Sequence, residues 1–250
     1  MIAAELYTLR EHLRDADAIA AGLARVRDIG YEGVELAGLG PIEAGRLGGL
    51  LEETGLAACS AHVRWERLRD ETDAVIEDCA RWRCGHVAVP VMPQLFRSAE
   101  GYAHFAAAAT AVAARLREAG IRLSYHNHAS ELQRYGRETG LEILYRTSDP
   151  SLLDGQIDTY WVQYGGGNPA AWIRRLRGRA PTVHVKDMDV SDGSPVMAEV
   201  GEGNLDWADV LAACRDAGVE WLIVEQDECR RDPFESLAIS RRNLRALGAG

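Results

Sequence analysis

Four residues that could share a metal ion stand at matching places along the chain. His126, Asp158, His184 and Glu225 fall in short apolar or β-branched runs, Arg122 to His128, Leu153 to Asp158, Thr182 to Lys186 and Trp221 to Glu225, at or near their C-terminal ends. A set that mixes imidazole with carboxylate suits Mn, Co, Zn or Fe in the divalent state better than Ca, which prefers oxygen alone. One histidine or one carboxylate at a strand end is usually solvated or simply hydrogen-bonded. Four at corresponding places read together as a metal site.

Lys186 lies in the same stretch and is the only lysine among 28 basic residues. A compact ammonium with a tunable pKa can hold an enolate or alkoxide oxygen or move a proton, which a guanidinium cannot; the plain alternative is a relic of codon usage. His62 ends another run and could contact a sugar hydroxyl, ligate a second metal or cap its strand. Glu35, in Gly33-Val-Glu-Leu, is a similar substrate-binding candidate, and Tyr160 and Trp161, directly after Asp158, are either core aromatics or one wall of a pocket. Aromatic faces pack well on the apolar face of a sugar ring.

The elements that must position these residues follow from periodicity. Strands are expected at Ala4 to Leu9, Gly33 to Ala37, Ala57 to Val63, His86 to Val91 and the four runs above. Stretches with helical spacing lie between them, among them Ile19 to Asp28, Leu68 to Trp82, Tyr102 to Ala119, Pro169 to Leu176, Trp207 to Ala217 and Glu235 to Leu247. Gly30, Gly55, Gly85, Gly120 and Gly218 fall where helices should end, supplying left-handed caps without a Cβ penalty. Alternating strands and helices imply parallel strands joined by right-handed crossovers, and eight such units in 250 residues predict an α/β fold, a single (β/α)8 TIM barrel spanning residues 1–250. In such a barrel the C-terminal strand ends converge on the active site, so residues two apart, His126 with His128 and His184 with Lys186, face the same mouth.

Composition narrows the classes. Hydrophobic residues at 47% and charged residues at 26% exclude a disordered or disulfide-scaffold chain. A net charge of −10 repels a phosphate backbone, so nucleic acid is not the expected partner. Five scattered cysteines form no CxxC pair and fit a reducing cytoplasm. Neither a signal sequence nor an apolar run of about 18 residues is found, so no membrane partner is expected; a homo-oligomer is compatible with all of this.

Gly33-Val-Glu-Leu, Ser60-Ala-His-Val, Tyr125-His-Asn-His, Asp158-Thr-Tyr-Trp, Val183-His-Val-Lys-Asp, Val200-Gly-Glu-Gly-Asn-Leu-Asp-Trp and Ile223-Val-Glu-Gln-Asp resemble the sugar phosphate isomerase/epimerase family with the xylose-isomerase-like TIM barrel. The resemblance runs over nearly the whole chain and implies one divalent metal ion, Mn, Co, Mg or Zn, with Asp158, His184 and Glu225 as ligands. Ketose 3-epimerases of the family carry a glutamate on the fifth strand, paired with that of the eighth as two bases. Here the matching position is His126, with His128 or Glu131 as the neighbouring alternatives for the fifth-strand ligand. Branches with a Tyr-His-Asn-His-like strand resemble inosose dehydratases and lyases of 3-keto-glycosides. The implied chemistry is proton abstraction α to the carbonyl of a keto-sugar or cyclitol through a metal-stabilised enediolate, with His128 as first choice of base, Glu225 as second, and Lys186 at the oxyanion. Isomerisation, epimerisation and β-elimination all start from that step. Two other classes are an abasic-site endonuclease, which the acidic charge and the lone His62 oppose, and a non-catalytic sugar-binding protein, which would hold no stoichiometric metal.

Overall fold

The computed structural model describes residues 1–249. Its central feature is a closed barrel of eight parallel strands: β1 (Ile2–Glu5), β2 (Gly33–Leu36), β3 (Ala57–His62), β4 (His86–Val89), β5 (Arg122–His126), β6 (Leu153–Asp158), β7 (Thr182–Val185) and β8 (Trp221–Val224). Each pairs with its sequence neighbour, and β1 closes the ring against β8 through Ile2 opposite Leu222 and Ala4 opposite Val224. The helices between strands are α1 (Ala16–Ile29), α2 (Ala44–Thr54), α3 (Trp65–Asp70), α4 (Thr72–Trp82), α5 (Ala99–Glu118), α6 (Gly140–Thr147), α7 (Thr159–Tyr164), α8 (Pro169–Arg175), α9 (Trp207–Ala217) and α10 (Pro233–Ala246). The expected (β/α)8 barrel is therefore the fold.

Helix and strand faces that meet outside the ring are apolar, with Ile19, Leu23 and Val26 of α1 and Phe105, Ala109 and Leu116 of α5 all buried. Inside, the N-terminal end of the barrel is plugged by Trp221. Gly33 has no side chain because a Cβ there would come within 2.9 Å of the Trp221 ring and 2.8 Å of the Ala57 carbonyl. The polar strand-end residues sit above this plug.

Several expected boundaries shift, each for a local reason. The first strand is Ile2–Glu5 rather than Ala4 to Leu9, because the Glu5 carboxylate accepts the Tyr7 N–H and starts a 3-10 turn over Leu6–His12. The expected helix from Leu68 to Trp82 is two helices, interrupted at Glu71. Gly85 is not a cap: Arg83 ends α4 in the left-handed region at φ 53°. After β7 the chain makes an unanticipated hairpin, Asp187–Ser191 against Ser194–Ala198, turning on Asp192 and Gly193, both at positive φ. That Asp-Gly pair is the usual hairpin signal.

Candidate metal centre and surrounding pocket

Asp158 is oriented by its duty as a helix cap. It ends β6 and begins α7, where Oδ1 accepts the Trp161 N–H at 2.8 Å. Its other oxygen, Oδ2, is buried and makes no well-aligned hydrogen bond, its nearest cation being the Lys186 ammonium at 3.3 Å. That oxygen lies 3.9 Å from His126 Nε2 and 3.9 Å from His184 Nδ1. Pairing of Asp158 with His184 across β6 and β7 puts their side chains on one face, and Glu225 follows directly on β8. One donor atom each from His126, Asp158, His184 and Glu225 lies within 4.8 Å of the others, and all four residues are buried. A buried carboxylate oxygen with no hydrogen bond of its own, within a mixed nitrogen and oxygen donor set, fits a divalent transition ion.

Protonation bears on the same set. Burial first, and the neighbouring His184 second, push His126 well below its ordinary value, so it stays neutral and able to ligate. Burial lifts Asp158 to about 6 despite the pull of Lys186. For Glu225, burial is outweighed by the Lys186 ammonium and by His184, which hold its carboxyl well below the usual carboxylate range. His184 is the opposite case. Burial resists its charge, but Glu35 and Glu225 raise it to about 10.

Beneath this set lies a layer that sequence reasoning assigned differently or missed. Glu35 is fully buried and does not face the mouth as a substrate-binding residue would: Oε2 meets His184 Nε2 at 2.5 Å, while Oε1 accepts from Gln156 Nε2 at 2.7 Å. The contact holds the His184 ring in place, and the other ring nitrogen, Nδ1, faces Glu225 Oε2 at 2.8 Å. Gln156 in turn presents Oε1 to His62 Nε2 at 2.8 Å. Glu5, from β1, completes the layer; burial and then the Glu35 charge push its carboxyl well up. Glu5, Glu35, His62 and His184 are also close enough to hold an ion, but burial opposes a charge on Glu5, and His184 Nε2 is already engaged by Glu35. Glu5 ends an apolar run just as the other site residues do, and placing the first strand two residues late hid it.

His62 faces inward only because β3 carries an extra residue. The register shifts between Val34 and Glu35 of β2, so that Glu35 pairs with Ser60 and the alternation is reset before His62. Its ring then stacks parallel to that of His184 at 5.5 Å.

The remaining predicted residues ring the set. His128 lies just beyond the end of β5, its ring 5.0 Å from that of His126 and 5.4 Å from that of Trp161. Burial, with the Lys186 charge next, lowers it to about 4. Glu131 is not part of the donor set, since its carboxylate accepts the His128 N–H at 2.6 Å and the Ser130 hydroxyl at 2.8 Å. Lys186 is buried, and its ammonium reaches Glu225 Oε2 at 2.9 Å, Asp158 Oδ2 at 3.3 Å and Asp227 Oδ2 at 2.5 Å. Its backbone is held by Thr159, whose hydroxyl accepts the Lys186 N–H and donates to the Lys186 carbonyl. Trp161 lies beneath the ammonium at 5.6 Å, and Tyr160 packs edge-on to it. Beside His62, between the loops after β2 and β3, is a cavity of about 760 Å³ that also touches Gly38, Glu43, Arg67 and Trp82.

Asp187 ends the Val183-His-Val-Lys-Asp motif and acts on the backbone. Its buried carboxylate accepts N–H groups from Met188, Gly201, Gly203 and Leu205 and the indole N–H of Trp207, tying the Val200 to Trp207 loop to the end of β7.

Residues 23–247 match the family described as xylose isomerase-like TIM barrel. The rhizopine catabolism protein MocC of Rhizobium meliloti is 23% identical over 265 residues, spanning 91% of this chain and 81% of its own length. A solved sugar phosphate isomerase/epimerase from Parabacteroides distasonis superposes with a TM-score of 0.82 at 21% identity, covering 97% of this chain and 96% of that one. The probable 3-DHS dehydratase AsbF of Bacillus anthracis, involved in petrobactin synthesis, gives a TM-score of 0.74 at 13% identity over 98% of both chains. No helix among the described residues is long and apolar enough to cross a membrane.

Proposed function

The chain belongs to the xylose isomerase-like TIM barrel family, and from that premise we propose that it is a divalent-metal-dependent enzyme moving a proton α to the carbonyl of a keto-sugar or cyclitol. The observation that carries this reading is the His128 ring, 5.0 Å from that of His126, beside the buried His126, Asp158, His184 and Glu225 set. A divalent ion held by those four residues would supply a Lewis acid for a substrate carbonyl and a neighbouring hydroxyl.

The chain's own groups do the rest. His128 takes the proton from the carbon beside the carbonyl, and the C–H electron pair passes into the enediolate. Lys186 donates hydrogen bonds from Nζ to the oxygen that gains charge, within a buried pocket where such a bond is strong. Glu35 keeps the His184 ring fixed, and Trp161 with Tyr160 forms an aromatic wall for a sugar face. The His128 imidazolium then returns the proton. Return to the adjacent carbon, with the hydroxyl proton passing between the two enediolate oxygens, isomerises; epimerisation requires a second group to deliver a proton to the opposite face.

A second reading, β-elimination from a 3-keto-glycoside or inosose, is favoured by one specific feature. The fifth strand offers imidazoles, His126 and His128, and its nearest glutamate, Glu131, is committed to the His128 N–H. A single base removes a proton and, with departure of the β-substituent, needs no partner on the opposite face.

The test is proton exchange. Protein loaded with Mn²⁺ is incubated in heavy water with ketoses, inososes and 3-keto-glycosides, and deuterium is sought beside the ketone by NMR. His128→Ala should keep the metal and lose at least about 100-fold in exchange rate, as expected for loss of a general base. His126→Ala should lose the metal. The reverse pattern would swap their roles, and absence of both exchange and metal would overturn the proposal.

A further inference from the structure

Lys186 and a divalent ion would compete for the same two carboxylates. The ammonium touches Glu225 Oε2 and Asp158 Oδ2, at 2.9 and 3.3 Å, and both residues belong to the donor set. A divalent ion bound by those oxygens would stand within a few ångströms of Nζ, where two positive charges repel strongly in a buried site. The third partner of the ammonium is different. Asp227 Oδ2 lies 2.5 Å from Nζ, yet Asp227 is outside the donor set and about a quarter exposed, toward the rim of the mouth.

Resting on the metal-dependent reading above, we propose that Asp227 is a positioning residue that receives the Lys186 ammonium when a divalent cation enters. The ammonium and the cation then exchange Asp158 and Glu225, and Lys186 remains beside the site with its charge neutralised by Asp227. Before entry, Lys186 serves as the counter-ion of two buried carboxylates that would otherwise repel each other. The arrangement gives Asp227 a role in the binding equilibrium that depends on Lys186 being present.

That dependence is what a double-mutant cycle reads. Mn²⁺ affinity is measured by calorimetry for the wild type, Lys186→Met, Asp227→Asn and the double variant, with circular dichroism confirming the fold of each. Lys186→Met should bind Mn²⁺ about tenfold or more tightly than wild type, because the competing cation is gone. Asp227→Asn should bind about tenfold more weakly, because the ammonium is left on the metal ligands. In the Lys186→Met background the same Asp227→Asn change should matter by less than about threefold.

An equal loss in both backgrounds would reduce Asp227 to a distant negative charge and overturn the inference, as would unchanged affinity in Lys186→Met. If that variant does not fold, Lys186→Gln replaces it. The wild type supplies an independent readout, since Lys186 is the only lysine in the chain. Lysine labelled with ¹³C and ¹⁵N gives one side-chain signal, which should move on titration with diamagnetic Zn²⁺. A signal unmoved at saturating Zn²⁺ overturns the exchange while leaving the metal site standing. Failure of the wild type to bind any divalent ion overturns the metal reading itself.

Discussion

His184 is clasped by Glu35 at Nε2 and Glu225 at Nδ1, at 2.5 and 2.8 Å, so under the proposed function metal binding would be a proton-coupled event. With a folded value of about 10 against about 6.5 in the unfolded chain, its charge stabilises the metal-free fold fully below the unfolded value and is lost as pH rises through the folded one. A ligating nitrogen must be unprotonated, so entry of the proposed metal would expel this proton. Calorimetry in buffers of different ionisation enthalpy should find about one proton released per Mn²⁺ at pH 7.5. Affinity should rise about tenfold per pH unit between pH 7 and 9. Below about 6 Asp158 takes up a proton too, and the dependence should steepen. Binding without proton release would remove His184 from the donor set. At this scale the sequence displayed residue types but not partners. Nothing local to Glu35 says that it faces an imidazole 149 positions away.

At the scale of elements, short connections hold the site as firmly as the strands do. Asp187 collects five N–H donors, four from the segment between β7 and α9 and one from the Trp207 indole at the start of α9, and its carboxylate is buried among them. Asp187→Ala would strand those donors away from water, and each unsatisfied buried group costs on the order of 1–3 kcal/mol, partly relieved by relaxation. We expect a loss of about 3 kcal/mol or more in urea denaturation; a loss under about 1 kcal/mol would show that the loop stands without it. The strands and most helices were legible in their period, and Leu153–Asp158 and Trp207–Ala217 occur with the expected limits. Errors collected where a side chain competes with the backbone. Glu5 ends a strand early by capping a turn, and Arg83 takes a left-handed cap conformation that its type does not advertise.

For the whole molecule, metal and fold should be linked. A ligand at about 100 times its dissociation constant stabilises by about 2.7 kcal/mol, and for a chain of this size that corresponds to roughly 5–10 °C in Tm. Thermal melts with Mn²⁺ and with chelator should differ by that much, and coincident melts would argue against a built metal site. The sequence by itself determined the beat of strands and helices, and with it the barrel and the convergence of polar strand ends on one mouth, because periods of 2 and 3.6 residues are properties of neighbouring positions. Only the tertiary structure decided which side chains meet. Closure pairs Ile2 with Leu222, and one extra residue in β3 turns His62 inward; both depend on register between distant segments. Register is set by how whole faces pack, and a slip of one residue reverses every side chain. The contacts of Glu5, Glu35 and Asp227 therefore belong to the closed barrel and could not be read along the chain.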